Sequence, residues 1–244
     1  MRKLVVNADD FGFTRDVNQG IVEAHQEGIL TATTLMATGV AFDDAVRLAK
    51  ENPSLDVGCH LVLVGAPPFP AGVARLVLAV ALGRIRIYDE LAAQVRRVME
   101  SGLRPSHLDT HKHTHLLPPV LEAVARISED FKIPWVRRPF LGVLRGPFER
   151  VLARHGCRST DFFAGFQMTG RFDVSALMSL IRSLPEGSTE LMCHPGRCGE
   201  ELRSARTRLK EGRERELRAL KAPEVRIALR EAGVQLAGYH ELYF

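Results

Sequence analysis

Short apolar, β-branched runs alternate with helix-period stretches along nearly the whole chain, and this alternation limits the fold more than any other feature. Lys3 to Ala8 is the first run, and Thr14 opens a helical pattern through Glu27 that Gly28 stops. Further strands are expected at 31–38, 56–60, 106–109, 134–137, 189–193 and 234–237. Helices are expected at 42–51, 89–101, 118–130 and 173–183, with basic helices through 203–232. A strand, a crossover helix and a second strand make a parallel unit, and at least seven such strands favour curling into a barrel over an open sheet. The expected fold class is therefore α/β, an irregular (β/α) barrel of about seven parallel strands. No linker, internal repeat, G-x-G-x-x-G or Walker motif breaks the pattern, so residues 1–244 read as a single domain.

Composition narrows the function classes. Apolar residues make up 45% of the chain and charged residues 25%, enough for a sizeable core and against wholesale disorder. The net charge of +4 hides a basic stretch from Arg203 to Lys221, where Glu201, Glu211, Glu214 and Glu216 interleave with the cations. Mixed signs at helical spacing predict a solvated helix face, and no nucleic-acid partner is expected. Cys59, Cys157, Cys193 and Cys198 form no C-x-x-C pair, and no leader precedes the first strand, which fits a reducing cytoplasm. No apolar run reaches the ~18 residues that a membrane span needs. The stretch Gly72 to Gly83 is apolar with one arginine, and a core helix is its expected place. A lid facing substrate or the inner face of the membrane is the alternative.

Four polar stretches stand at the C-terminal ends of expected strands: N-A-D-D-F-G at 7–12, G-C-H-L at 58–61, H-L-D-T-H-K-H-T-H at 107–115 and M-C-H-P-G at 192–196. In barrels those ends converge on one face, which is where catalytic groups gather. Asp9 and Asp10 would repel one another behind an apolar strand unless a cation lay between them. A divalent ion held by one carboxylate, with the other taking a proton from metal-bound water, answers this; helix capping explains one aspartate at most. His60 and His194 each follow a cysteine at a strand end, so strand alternation turns each cysteine to the helix layer and each histidine to the mouth. A catalytic metal site usually takes three protein ligands, so the four histidines at 107, 111, 113 and 115 cannot all bind one ion. Arg137 ends a strand, where it either orients Asp9 and substrate or makes a surface ion pair.

Taken in order, these motifs together with T-A-T-T at 31–34 resemble the YdjC-like carbohydrate deacetylase family, which includes chitooligosaccharide deacetylases, over nearly the whole chain. The resemblance implies one divalent metal, zinc or magnesium, with Asp10, His60 and His111 as ligands, Asp9 as general base and His194 as general acid. Asp109, His113, His115 and Arg137 would bind substrate or support the site, and Arg137-x-Pro139-Phe140 is similar to the arginine motif of the wider polysaccharide deacetylases. Lys112 stands where relatives acting on chitooligosaccharides often carry another histidine. With the apolar stretch after His60, that departure points to the branch associated with hopanoid biosynthesis. The implied partner is an N-acetylated sugar or glycolipid, with peripheral membrane contact through residues 72–83 and a homo-oligomer left open. A metal-dependent phosphoesterase, with His113 and His115 supplying a second ion, and a non-catalytic sugar-binding barrel are the competing readings.

Overall fold

A computed structural model describes residues 1–65, 68–139, 142 and 145–242. The strands are β1 (Arg2–Phe11), β2 (Ala32–Leu35), β3 (Asp56–Leu61), β4 (His107–Thr110), β5 (Trp135–Val136), β6 (Phe162–Ala164), β7 (Gly187–Cys193) and β8 (Val234–Leu236). Every pairing is parallel, in the order β5-β4-β3-β2-β1-β7-β6, with β8 on the first residues of β1. The two ends of that order meet in one parallel bridge, Trp135 to Arg158, on the stretch that runs into β6. The sheet thus curls into an irregular barrel, and β1 at its centre has eight successive buried residues. A parallel sheet covered on both faces requires such continuous apolar runs.

The helices are α1 (Arg15–Glu27), α2 (Phe42–Glu51), α3 (Val73–Ala81), α4 (Ile87–Glu100), α5 (Pro118–Phe131), α6 (Arg145–Arg154), α7 (Val174–Arg182), α8 (Glu200–Ser204), α9 (Glu211–Lys221) and α10 (Pro223–Glu231). Their starts follow local chemistry. The Thr14 hydroxyl accepts from the Val17 amide at α1, Asp173 accepts from Ala176 at α7, and Pro118 and Pro119 open α5 where no amide donor is needed. Strand alternation holds at the cysteines, since Cys59 and Cys193 both lie in the main apolar core.

Three expectations need correction. The apolar 72–83 stretch forms α3, yet Leu76 is the one residue of that helix classed as buried, and Val77, Leu78 and Leu82 are 46%, 59% and 53% exposed. Hydropathy reports what a helix would bury, and among the described residues only Leu76, with Val80 partly buried beside it, packs into the core from this helix. The basic helix α9 is not simply a solvated face, because Arg213 and Glu216 are buried within it. The sequence pattern also missed α6 and β6. The three residues of β6 are half-buried or exposed, so they carry no period-2 signal.

Candidate active site

The four polar strand ends converge as the barrel requires, and an irregularity in β1 makes the centre possible. In a regular strand Asp9 and Asp10 would face opposite sides of the sheet. Between Ala8 and Phe11 the register against β2 advances from Thr33 to Leu35 only, so β1 carries one extra residue there. Asp10 takes up that extra residue with a left-handed backbone, φ 71°. A bulge of this kind re-aims side chains next to functional sites. Both carboxylates consequently lie inside the mouth, each nearly fully buried.

Asp10 Oδ1 lies 3.3 Å from His60 Nε2 and 3.3 Å from His111 Nδ1, and those two nitrogens are 3.2 Å apart. Three donor atoms in a near-equilateral triangle of this edge fit a single ion about 2.0 Å from each, the usual zinc–nitrogen distance. His60 is oriented for that task. Its Nδ1 lies 2.7 Å from Asp109 Oδ1, which leaves Nε2 to face the triangle, and the Thr34 hydroxyl donates to the other Asp109 oxygen. A carboxylate behind a ligating histidine fixes ring and tautomer. Burial alone would lower the His60 pKa, but Asp109, Asp10 and Asp9 push it up to about 10. The donor set of two imidazoles and one carboxylate suits a divalent ion.

Asp9 belongs to a second cluster. Arg137, 1% exposed at the end of β5, donates from Nη1 and Nη2 to the two Asp9 oxygens at 2.8 and 2.6 Å. Its Nη1 also pairs with Asp109 at 2.7 Å, and its Nε donates to Glu190 at 2.6 Å. Burial would raise the Asp9 pKa, but Arg137, with smaller help from His60 and His194, holds it well below the carboxylate range. Arg137 is thus buried against Asp9 and does not make a surface ion pair. Phe140 of the arginine motif lies outside the described residues. Facing Asp9, His194 at the end of β7 places Nε2 3.9 Å from Asp9 Oδ2. An ionised carboxylate and an imidazole thus meet beside the triangle, the arrangement that proton transfer in both directions requires.

Two residues of the site escaped the sequence. Arg213 on α9 donates to Asp10 Oδ2, the oxygen turned away from the triangle. Glu216, one helical turn on, accepts from the backbone amides of His194 and Gly170 and ties two mouth loops together. Burial raises the Glu216 pKa.

The remaining histidines divide differently. His107 donates from Nε2 to Asn7 Oδ1 at 2.9 Å and stacks on Tyr239, deep in the barrel. It sits so close to β3 that a Cβ on Gly58 would stand 2.5 Å from the His107 carbonyl oxygen. His115 is fully buried against Phe148 with its Nδ1 on the Thr110 hydroxyl, so it supports the loop from within. His113 lies beside Phe163 and Phe166 at the mouth. Among the described residues neither His113 nor His115 joins a candidate metal-ligand group.

Buried neutral histidines have a consequence for stability. Burial lowers the pKa of His107 and of His113 to about 4, whereas the unfolded chain titrates near 6.5. Between those values the unfolded state binds more protons, so this contribution is complete above about pH 6.5 and is lost as pH falls toward 4. Urea denaturation at pH 7 and pH 5 is expected to differ by on the order of 2 kcal/mol for His107 alone, lower at pH 5. Equal stability at both values would mean that the ring is not held neutral.

A family model described as YdjC-like protein matches residues 3–231. A carbohydrate deacetylase of Geobacillus stearothermophilus is 37% identical over 99% of this chain and 98% of its own length. A crystal structure from Enterococcus faecalis, of a protein described as a candidate for cellobiose-phosphate cleavage, superimposes with a TM-score of 0.85 at 27% identity, covering 100% of this chain and 99% of that one. A family 4 acetyl xylan esterase of Clostridium thermocellum, solved with a cobalt ion, shares the fold alone, with a TM-score of 0.52 at 10% identity over 99% of this chain and 90% of that one.

Proposed function

The chain belongs to the YdjC-like family, and from that membership we propose that it is a carbohydrate deacetylase that hydrolyses the N-acetyl group of an amino sugar. The observation that carries the proposal is the Asp9–His194 pair beside the triangle of Asp10, His60 and His111. These three residues would hold a divalent metal. When bound there, such an ion lowers the pKa of water and polarises an amide carbonyl.

The chain's own residues do the proton work. Asp9, kept ionised and aimed by Arg137, accepts the proton of the water whose oxygen attacks the acetyl carbon. His194 Nε2 gives a proton to the sugar nitrogen as the carbon–nitrogen bond breaks, because an amine leaves poorly unless protonated. Acetate and the free amino sugar are the products. Arg213 takes one oxygen of Asp10 and leaves the other to the triangle. The phosphoesterase reading lacks support, since it would draw a second ion to His113 and His115.

A finer reading places the sugar on an apolar carrier such as a hopanoid lipid, at or near a membrane surface. Its support is α3, which follows the strand bearing His60 and leaves Val77, Leu78 and Leu82 bare. Among the described residues no helix is long and apolar enough to cross a membrane. Incubating protein loaded with zinc or magnesium with N-acetylated chitooligosaccharides and with an N-acetylglucosaminyl glycolipid tests both levels. Acetate release that EDTA abolishes is expected, faster on the glycolipid. No acetate from any substrate sinks the deacetylase reading, and equal rates sink the lipid one.

A further inference from the structure

Strand β6 ends in the run F-F-A-G-F at 162–166, which plays no part in the chemistry above. Gly165 has φ 103°, and a Cβ there would stand 2.2 Å from the Met192 carbonyl oxygen on β7. Only glycine permits so tight a turn against a neighbouring strand, and the turn leaves Phe166 standing at the barrel mouth, 56% exposed. A phenyl ring left in water at the rim of a site is an unspent apolar surface.

Contacts connect that ring to the reacting groups. The Phe166 centroid is 5.2 Å from the His113 ring, and Phe163 meets the same imidazole edge-on at 5.9 Å. The Arg137 guanidinium that grips Asp9 is 5.5 Å from the Phe163 ring. His113 touches both phenyl rings from a backbone that holds Lys112 and His113 in succession at φ 54° and 50°. Two consecutive left-handed non-glycine residues persist only where the surroundings impose them.

We infer that Phe166, backed by His113 and Phe163, is a platform on which a pyranose ring of the substrate stacks, an inference that rests on the deacetylase reading. One face of a pyranose is a sheet of C–H groups, and an aromatic face buries it while the ring hydroxyls stay in water. The platform lies beside Arg137 and Asp9, so it sets which sugars reach the triangle in register and adds nothing to bond cleavage.

The test uses di-N-acetylchitobiose with the full chain. Calorimetric binding to the Asp9→Asn protein is expected to weaken about tenfold on adding Phe166→Ala and to stay within about threefold on adding Phe166→Trp. In the otherwise unaltered enzyme Phe166→Ala is expected to raise KM about tenfold with kcat within about twofold. Thermal midpoints should match, since so exposed a ring contributes little to packing. Unchanged binding and KM in Phe166→Ala, equal losses in the alanine and tryptophan variants, or no binding of the disaccharide by Asp9→Asn would each overturn the platform. Disaccharide binding that depends on Phe166, without acetate release by the unaltered enzyme from the disaccharide, longer chitooligosaccharides or the glycolipid, would overturn the deacetylase reading and leave the platform standing.

Discussion

Replacing Asp9 by asparagine is expected to lower kcat by more than about a hundredfold while metal content stays at one ion per chain, the usual worth of a positioned general base. The variant keeps size and shape but cannot take a proton. It also breaks a symmetry. Arg137 now donates to both carboxylate oxygens, and an amide can accept on one side only, so its NH2 group must turn from the guanidinium. A moderate stability loss of about 1–3 kcal/mol is expected from that mismatch. Metal analysis, circular dichroism and single-turnover rates separate the outcomes. A variant that loses its metal yet recovers full rate on metal addition would reverse the assignments of Asp9 and Asp10.

The second large effect belongs to Arg137. This one buried cation serves Asp9, Asp109 and Glu190, and burial already raises the Glu190 pKa against the pull of Arg137. Arg137→Met would leave three carboxyls in a medium that cannot solvate their charges. Removing one partner of a buried ion pair costs about 3–5 kcal/mol, and here three partners are orphaned together. We expect a protein that is unfolded or marginal at pH 7 and regains part of its stability in mild acid, where the carboxyls protonate. Arg137→Lys restores the charge without the fork, because an ammonium cannot reach Asp9, Asp109 and Glu190 at once. That variant is expected to fold, with kcat lowered by about two orders of magnitude through the loss of Asp9 alignment. A loss of less than about 1 kcal/mol in Arg137→Met, measured by urea denaturation, would show that the carboxyls find other partners.

Much of the barrel was legible because its signals are local. The run 42–51 is a helix with the same limits in sequence and structure, and Thr14, Pro118 and Asp173 mark helix starts by their own chemistry. The site was legible to the extent that strand ends carry it: Asp9, Asp10, His60, His111 and His194 all come together at the mouth. Arg213 and Glu216 were not, since alternating charges on α9 resemble a solvated face and their partners lie on other elements. A signal did exist. Arg213, Glu216, Leu217 and Leu220 are buried at i, i+3, i+4 and i+7, so two charged residues share the apolar stripe of the helix. The opposite error at α3 has the same root, because composition records a helix's preference and says nothing of whether another element arrives to meet it. The bulge in β1 had no sequence signal beyond the two aspartates themselves.

Sequence separation gives the charge network a timing. The cation that neutralises Asp9 stands 128 residues downstream of it, and the one that holds Asp10 stands 203 residues downstream. At ribosomal speeds of ~5–20 residues per second, α9 follows the first strand by about 10–40 s. Until Arg137 is made the newborn chain holds an acidic pair without either partner, Asp10 then waits longer for Arg213, and β1 also waits for β7, whose Gly187 pairs with Arg2. The centre of the barrel is therefore the first part made and among the last completed. Asp10, His60 and His111 all precede Arg137 and Arg213 in the chain, so a cation present during synthesis would meet these residues before either arginine is made.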